Sequence, residues 1–156
     1  MLTVGDPAPD FHAKSHTGEM VSLASQRGKN VFLWFYPKAD TPGCTAEGCS
    51  IRDLAAEFEK RNTVVFGVSF DEEAENAAFA KNHDFPFQLL CDEDHELGLA
   101  YGACKDPEAG YAERYSFLVD EDGHLAQAWL KVDPRKHAQE VLDFLDALAA
   151  ADAEEG

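Results

Sequence analysis

Two runs of apolar and β-branched residues, Asn30-Val-Phe-Leu-Trp-Phe-Tyr36 and Thr63-Val-Val-Phe-Gly-Val-Ser-Phe70, bracket a stretch of helical periodicity. Neither run alternates apolar with polar residues, so each reads as a strand buried on both faces. Between them Ile51, Leu54, Ala55 and Phe58 recur at helical spacing, which predicts one helix from Pro42 to Arg61. Buried strands joined through a helix imply a parallel pair, because that crossover is what parallel strands need.

The remaining segments extend this unit. Phe11 to Ser15 and Met20 to Leu23 flank His16-Thr-Gly-Glu19 and predict an N-terminal hairpin. Glu72 to His83 predicts a second helix, Phe87 to Leu90 a short strand, and Asp94 to Tyr101 a short helix or turn. Arg114 to Val119 and Leu125 to Lys131 flank Asp120-Glu-Asp-Gly-His124, a second hairpin signal. Pro134 is expected to open a C-terminal helix running to about Ala150, with Val141, Leu142, Leu145 and Leu148 on one face. The order implies an α/β chain with a mixed central sheet flanked by helices, the thioredoxin-like arrangement with an N-terminal β-hairpin added. At 156 residues the chain suits a single domain over residues 1–150, followed by an acidic tail at 151–156 expected to fray.

Thirteen Lys and Arg stand against thirty Asp and Glu, a formal net charge of −17. Such a surface repels phosphate backbones and anionic lipid, which argues against nucleic-acid and membrane-surface roles. Solubility is its plainest purpose, and adaptation to high salt is another. The first ten residues have neither a basic start nor an apolar stretch of signal-peptide type. Four cysteines in such a chain read as free, catalytic or redox-active thiols rather than a disulfide framework, which points to the cytoplasm.

The segment from Tyr36 to Cys49 carries the chemistry. It lies where a buried strand hands over to a helix, the sheet edge at which α/β proteins bind ligands. Thr41 and Pro42 read as helix N-cap and first helical residue. Cys44 then falls in the first turn, among unpaired N–H groups at the positive end of the helix dipole. A thiolate is favoured there, and the thiolate is the nucleophile. Gly43 would let the backbone approach a ligand closely. Taken alone, Cys44 could equally be a small residue filling a helix terminus. Cys49 adds a constraint. Residues five apart on an α-helix differ by about 140° in direction and about 7.5 Å in height. Their Cα atoms are more than about 7 Å apart, too far for an unstrained disulfide while the helix is intact. A transient disulfide remains open to them if the first turns unwind.

These residues resemble the peroxiredoxins. Pro37-x-x-x-Thr41-x-x-Cys44 is similar to the active-site signature of that family, and Cys44-x-x-x-x-Cys49 to its bacterioferritin-comigratory-protein (peroxiredoxin Q) branch. Gly-Asp-Pro-Ala-Pro-Asp-Phe near the start and Arg114-Tyr-Ser-Phe-Leu-Val-Asp120 extend the likeness over nearly the whole chain. The resemblance implies a thiol-dependent peroxidase acting on hydrogen peroxide and organic hydroperoxides. Cys44 would attack the O–O bond and become a sulfenic acid, and Cys49 would resolve it as an intramolecular disulfide. Thr41 would hold peroxide and thiolate through its hydroxyl, besides any role as a helix cap. Pro37 would shield the thiolate from water, besides ending the strand. Arg114, otherwise an ordinary surface charge, would favour the thiolate and stabilise the departing oxygen. The resemblance also implies a thioredoxin or similar dithiol reductant, no cofactor, and a monomer, with a dimer as the alternative.

Glu47 is expected only as a favourable acid in the first helical turn, and Cys91 and Cys104 as buried or incidental thiols, with a resolving or regulatory role as the alternative. No Cys-x-x-Cys pairs with a His-x-x-x-His, so no structural zinc is expected. Calcium-loop fragments at Asp92 and Asp120 lack the closing Glu. Trp34 and Trp129 read as core residues. Two rival functions are open: a protein disulfide oxidoreductase without a peroxidase role, which would want Cys-x-x-Cys, and a redox-sensing or holdase module.

Overall fold

The computed structural model describes residues 2–155, and the side chains of residues 2–151. Its centre is β3 (Asn30–Phe35), and the pleat explains the continuous apolar run there. Val31, Leu33 and Phe35 enter one core cluster with Phe11, Tyr101 and Phe117. Phe32, Trp34 and Tyr36 point the other way, into a second cluster with Ile51, Phe58, Phe79 and Leu142. A strand covered on both faces needs no polar residue in either alternation.

Around β3 lie β1 (His12–Ser15), β2 (Met20–Ser22), β4 (Thr63–Ser69), β5 (Gln88–Cys91), β6 (Ser116–Val119) and β7 (Leu125–Trp129). They form one seven-stranded sheet in the order β2-β1-β5-β4-β3-β6-β7. β3, β4 and β5 are parallel; β6 and β7 add antiparallel strands on one side, and the β1–β2 hairpin adds an antiparallel edge on the other. The helices are α1 (Pro42–Asp53), α2 (Ala55–Lys60), α3 (Glu73–Asn82), α4 (Glu96–Tyr101) and α5 (His137–Glu155). Both parallel crossovers shift one strand in the same direction, so right-handed connection puts their helices on one face. There α1, α2, α3 and α5 contribute Ile51, Phe58, Phe79 and Val141 to the same cluster.

The expected mixed sheet and both hairpins are present, and three helix boundaries differ. The single helix expected over 42–61 breaks at Leu54 (φ −108°, ψ 13°), which ends α1 and leads into α2. Leu54 N–H donates to Ile51 O instead of continuing the α-helical pattern. α2 then carries Phe58 onto Phe32 in a stacked pair with ring centroids 5.5 Å apart. Pro134 sits in a turn, and α5 begins at His137, because the Asp133 carbonyl accepts from both Lys136 and His137 N–H. α5 also runs beyond the expected end, to Glu155. The side chains of the expected tail from residue 152 on, and Gly156 altogether, lie outside the described residues.

Topology alone brings two distant segments together. In the β3–β6 ladder Trp34 pairs with Ser116. The end of β3 therefore lies beside the start of β6, and the loop after Tyr36 meets the residues just before Ser116.

Candidate active site

α1 starts at that corner. Thr41 is its N-cap in extended backbone (φ −90°, ψ 156°), Pro42 is the first helical residue, and the Thr41 carbonyl accepts from Thr45 N–H at 2.8 Å. The Thr41 hydroxyl does not cap the helix. It donates instead to the Lys38 carbonyl at 2.8 Å, bracing the loop that carries Pro37.

Cys44 lies in the first turn with no exposed surface. Arg114, two residues before β6, reaches it: Nη2 is 3.5 Å from Cys44 Sγ. A Cβ at residue 43 would lie 2.9 Å from that same Nη2. The close approach that Gly43 permits is therefore that of Arg114. Arg114 Nη1 donates to Glu47 Oε1 at 2.9 Å.

Glu47 is the site contact that sequence reasoning missed. It stands in the second helical turn, with no solvent exposure. The inward face of α1 is Cys44, Glu47, Gly48 and Ile51, the i, i+3, i+4, i+7 stripe of a helix on a core. That spacing from Cys44 was the available signal. Burial pushes the Glu47 carboxyl up to about 7, opposed in part by the Arg114 charge. Its Oε2 has no hydrogen-bond partner among the described residues. Burial works against the Arg114 charge, but Cys44 and Glu47 outweigh it and hold its pKa above the ordinary value.

Because Glu47 titrates higher folded than unfolded, the folded state favours its protonated form. That contribution is full below about pH 4.5 and is lost as pH rises through about 7. The loss is on the order of 3 kcal/mol. Wild-type stability should therefore fall relative to Glu47→Gln between about pH 4.5 and about pH 8. Urea midpoints across that range measure it, and a constant gap would mean Glu47 is ionised throughout.

The loop before α1 is anchored from outside itself. The Ala39 N–H donates to Asp71 Oδ2 at 2.8 Å, and Lys38 pairs with Asp71 and Glu75. Asp40, in the left-handed region at φ 61°, accepts from Asn82 Nδ2 and meets His83 Nε2, both at 2.9 Å. Pro37, partly exposed, stands between this anchored loop and buried Tyr36.

Cys49 lies five residues along the same helix, partly exposed, and all four cysteines are free thiols. The structure thus joins Cys44 to Arg114 in direct contact and places Pro37 and Thr41 on the adjoining loop, while Cys49 remains apart. Cys91 is buried under Asn76, whose Nδ2 donates to its Sγ at 3.4 Å. Burial raises the pKa of both Cys91 and Cys104, the opposite of what a reactive thiol needs. Among the described residues no cluster of His, Cys, Asp and Glu is placed to hold a metal ion.

The AhpC/TSA family model matches residues 4–128. The chain belongs to this family. Peroxiredoxin Bcp of Bacillus subtilis is 38% identical over 149 residues, covering 92% of this chain and 95% of that one. A mutant PrxQ of Xylella fastidiosa superposes with a TM-score of 0.89 at 29% identity, over 96% of this chain and 98% of that one. The bacterioferritin comigratory protein of Xanthomonas campestris, described for its alkyl peroxide reduction activity, superposes at 0.86 with 32% identity over 96% and 98%. The enzyme is a peroxiredoxin of the Bcp/peroxiredoxin Q branch, a thiol-dependent peroxidase on a thioredoxin-like fold.

Proposed function

We propose that Cys44 is the peroxidatic residue and Cys49 the resolving one. The contact that carries this reading is Arg114 Nη2 at 3.5 Å from Cys44 Sγ, at the first turn of α1. A guanidinium and a helix N-terminus both favour negative charge on that sulfur. The Cys44 thiolate attacks one oxygen of the hydroperoxide, the O–O bond breaks, and the other oxygen leaves as an alcohol or water after taking a proton. Cys44 is then a sulfenic acid. The Cys49 thiolate attacks its sulfur, the S–S bond forms, and water departs. An external dithiol returns both thiols and becomes a disulfide itself, closing the two-electron balance.

Within this scheme Arg114 stabilises the thiolate and then the departing oxygen. Glu47 fixes the guanidinium from its far side. Thr41 and Pro37 form the wall on the peroxide side, and their loop is held by Asp71, Asn82 and His83. Alkyl hydroperoxides as well as hydrogen peroxide belong to the proposed substrate range, by likeness to the Xanthomonas campestris relative. Thioredoxin is the proposed reductant, the cytoplasm the proposed location, and a monomer of one domain over residues 1–150 the proposed state.

Peroxide-dependent NADPH oxidation, coupled through thioredoxin and its reductase, tests the function. Arg114→Met should lower the second-order rate with peroxide by about 10²-fold, the scale of losing one charge-stabilising donor. An unchanged rate would remove Arg114 from the site.

A further inference from the structure

The Cys49 side of α1 has a neighbour whose charge runs against the rest of the molecule. The whole chain carries thirteen cations against thirty anions. Between Trp129 and His137 it carries Lys131, Arg135 and Lys136 against Asp133 alone. All three cations are exposed, and among the described residues none of them forms a salt bridge. Asp133 is engaged locally, its Oδ1 accepting from Arg135 N–H at 3.0 Å. Leu130, directly before Lys131, is 45% exposed and supplies an apolar contact beside the charges.

Topology sets this turn at the active-site end of the sheet. Trp129 of β7 pairs with Ser116 of β6, and Ser116 pairs with Trp34 of β3. The turn also touches α1 next to Cys49, where the Ser50 hydroxyl donates to the Arg135 carbonyl at 3.4 Å. The N-terminal end of α5 follows at His137 and adds its dipole to the same positive potential.

We propose that the turn from Leu130 to Lys136 is the docking patch for an acidic dithiol protein, the reductant that regenerates Cys44 and Cys49. This rests on the assignment of those two thiols above. A macromolecular reductant must bring its own thiolate to one sulfur of the Cys44–Cys49 disulfide. An acidic partner is repelled by most of this surface and attracted where cations cluster, and three within six residues at this turn favour encounters on the Cys49 side. A basic partner would be held over most of the molecule and pushed away from this turn.

The test compares wild type with two triple variants, Lys131→Gln/Arg135→Gln/Lys136→Gln and Lys131→Glu/Arg135→Glu/Lys136→Glu. The probes are a thioredoxin of negative net charge, recycled by its reductase, and dithiothreitol as a small uncharged dithiol. Neutralisation should lower kcat/KM for thioredoxin by about tenfold at low salt, and reversal should lower it further. The wild-type dependence on ionic strength should flatten in the neutral variant. Turnover with dithiothreitol and the single-turnover oxidation of Cys44 should not change. Unchanged thioredoxin kinetics in both variants would overturn the patch, as would equal losses with dithiothreitol. Wild type inactive with either reductant would overturn the thiol assignment as well.

Discussion

Cys44→Ser should lose peroxide turnover by on the order of 10⁴-fold or more, the scale on which removing a covalent nucleophile acts. The fold should survive. Serine is nearly the same size, and its hydroxyl can accept the bond that Arg114 Nη2 now makes to Cys44 Sγ. What is lost is an acidic, polarisable nucleophile; a hydroxyl at the same helix terminus stays protonated and attacks oxygen poorly. NADPH-coupled peroxide consumption and thermal unfolding of the same sample separate the two effects. Retained turnover would place the chemistry elsewhere. Cys91 and Cys104 are poor candidates for that role, because both are buried with raised pKa values.

Most of this site could be read from the chain because its signals are local. A proline at the end of a buried run, Thr41-Pro42 at a helix start and Cys44 three residues later need no knowledge of distant contacts. β3 was equally legible, since a strand with a core cluster on each face needs apolar residues in both alternations. What escaped depends on contacts between distant segments. Nothing near Asp71 in the sequence says that its carboxylate holds the Ala39 N–H, a contact across 32 positions. Glu47 looks like any helix acid until Arg114 arrives from 67 residues away. The break at Leu54 likewise follows from packing. Residues 51, 54, 55 and 58 keep helical spacing across it, so periodicity alone cannot show where the backbone turns.

The reduced site and the resolving step make opposite demands on α1, and oxidation should therefore unwind it. Cys44 and Cys49 share one helix in the structure, with Cα atoms more than about 7 Å apart by helical geometry, beyond the span of an unstrained disulfide. Forming the bond must break helical hydrogen bonds between them. α1 is suited to this by composition. Gly43 and Gly48 lie within it, and each weakens a helix by about 1 kcal/mol relative to alanine. Tertiary contacts hold it instead. A Cβ at residue 48 would fall 2.4 Å from Phe85 Cζ, so glycine there admits the Phe85 ring against the helix. Arg52 Nη1 donates to the His83 carbonyl at 2.8 Å and ties the far end to the same turn. Helix order is thus borrowed from the turn at residues 83–85 and from Ile51 in the core, so unwinding gives up tertiary contacts rather than a strong intrinsic helix preference. Amides 44–52 should be protected from hydrogen exchange in the reduced enzyme and exchange like unstructured peptide once the Cys44–Cys49 disulfide has formed. Cys49→Ser should keep one round of peroxide reduction and lose thioredoxin-supported turnover, leaving a sulfenic acid that dimedone traps and excess peroxide carries on to sulfinic acid. Equal protection of those amides in both redox forms, with the disulfide confirmed by mass spectrometry, would show that the bond forms without unwinding the helix.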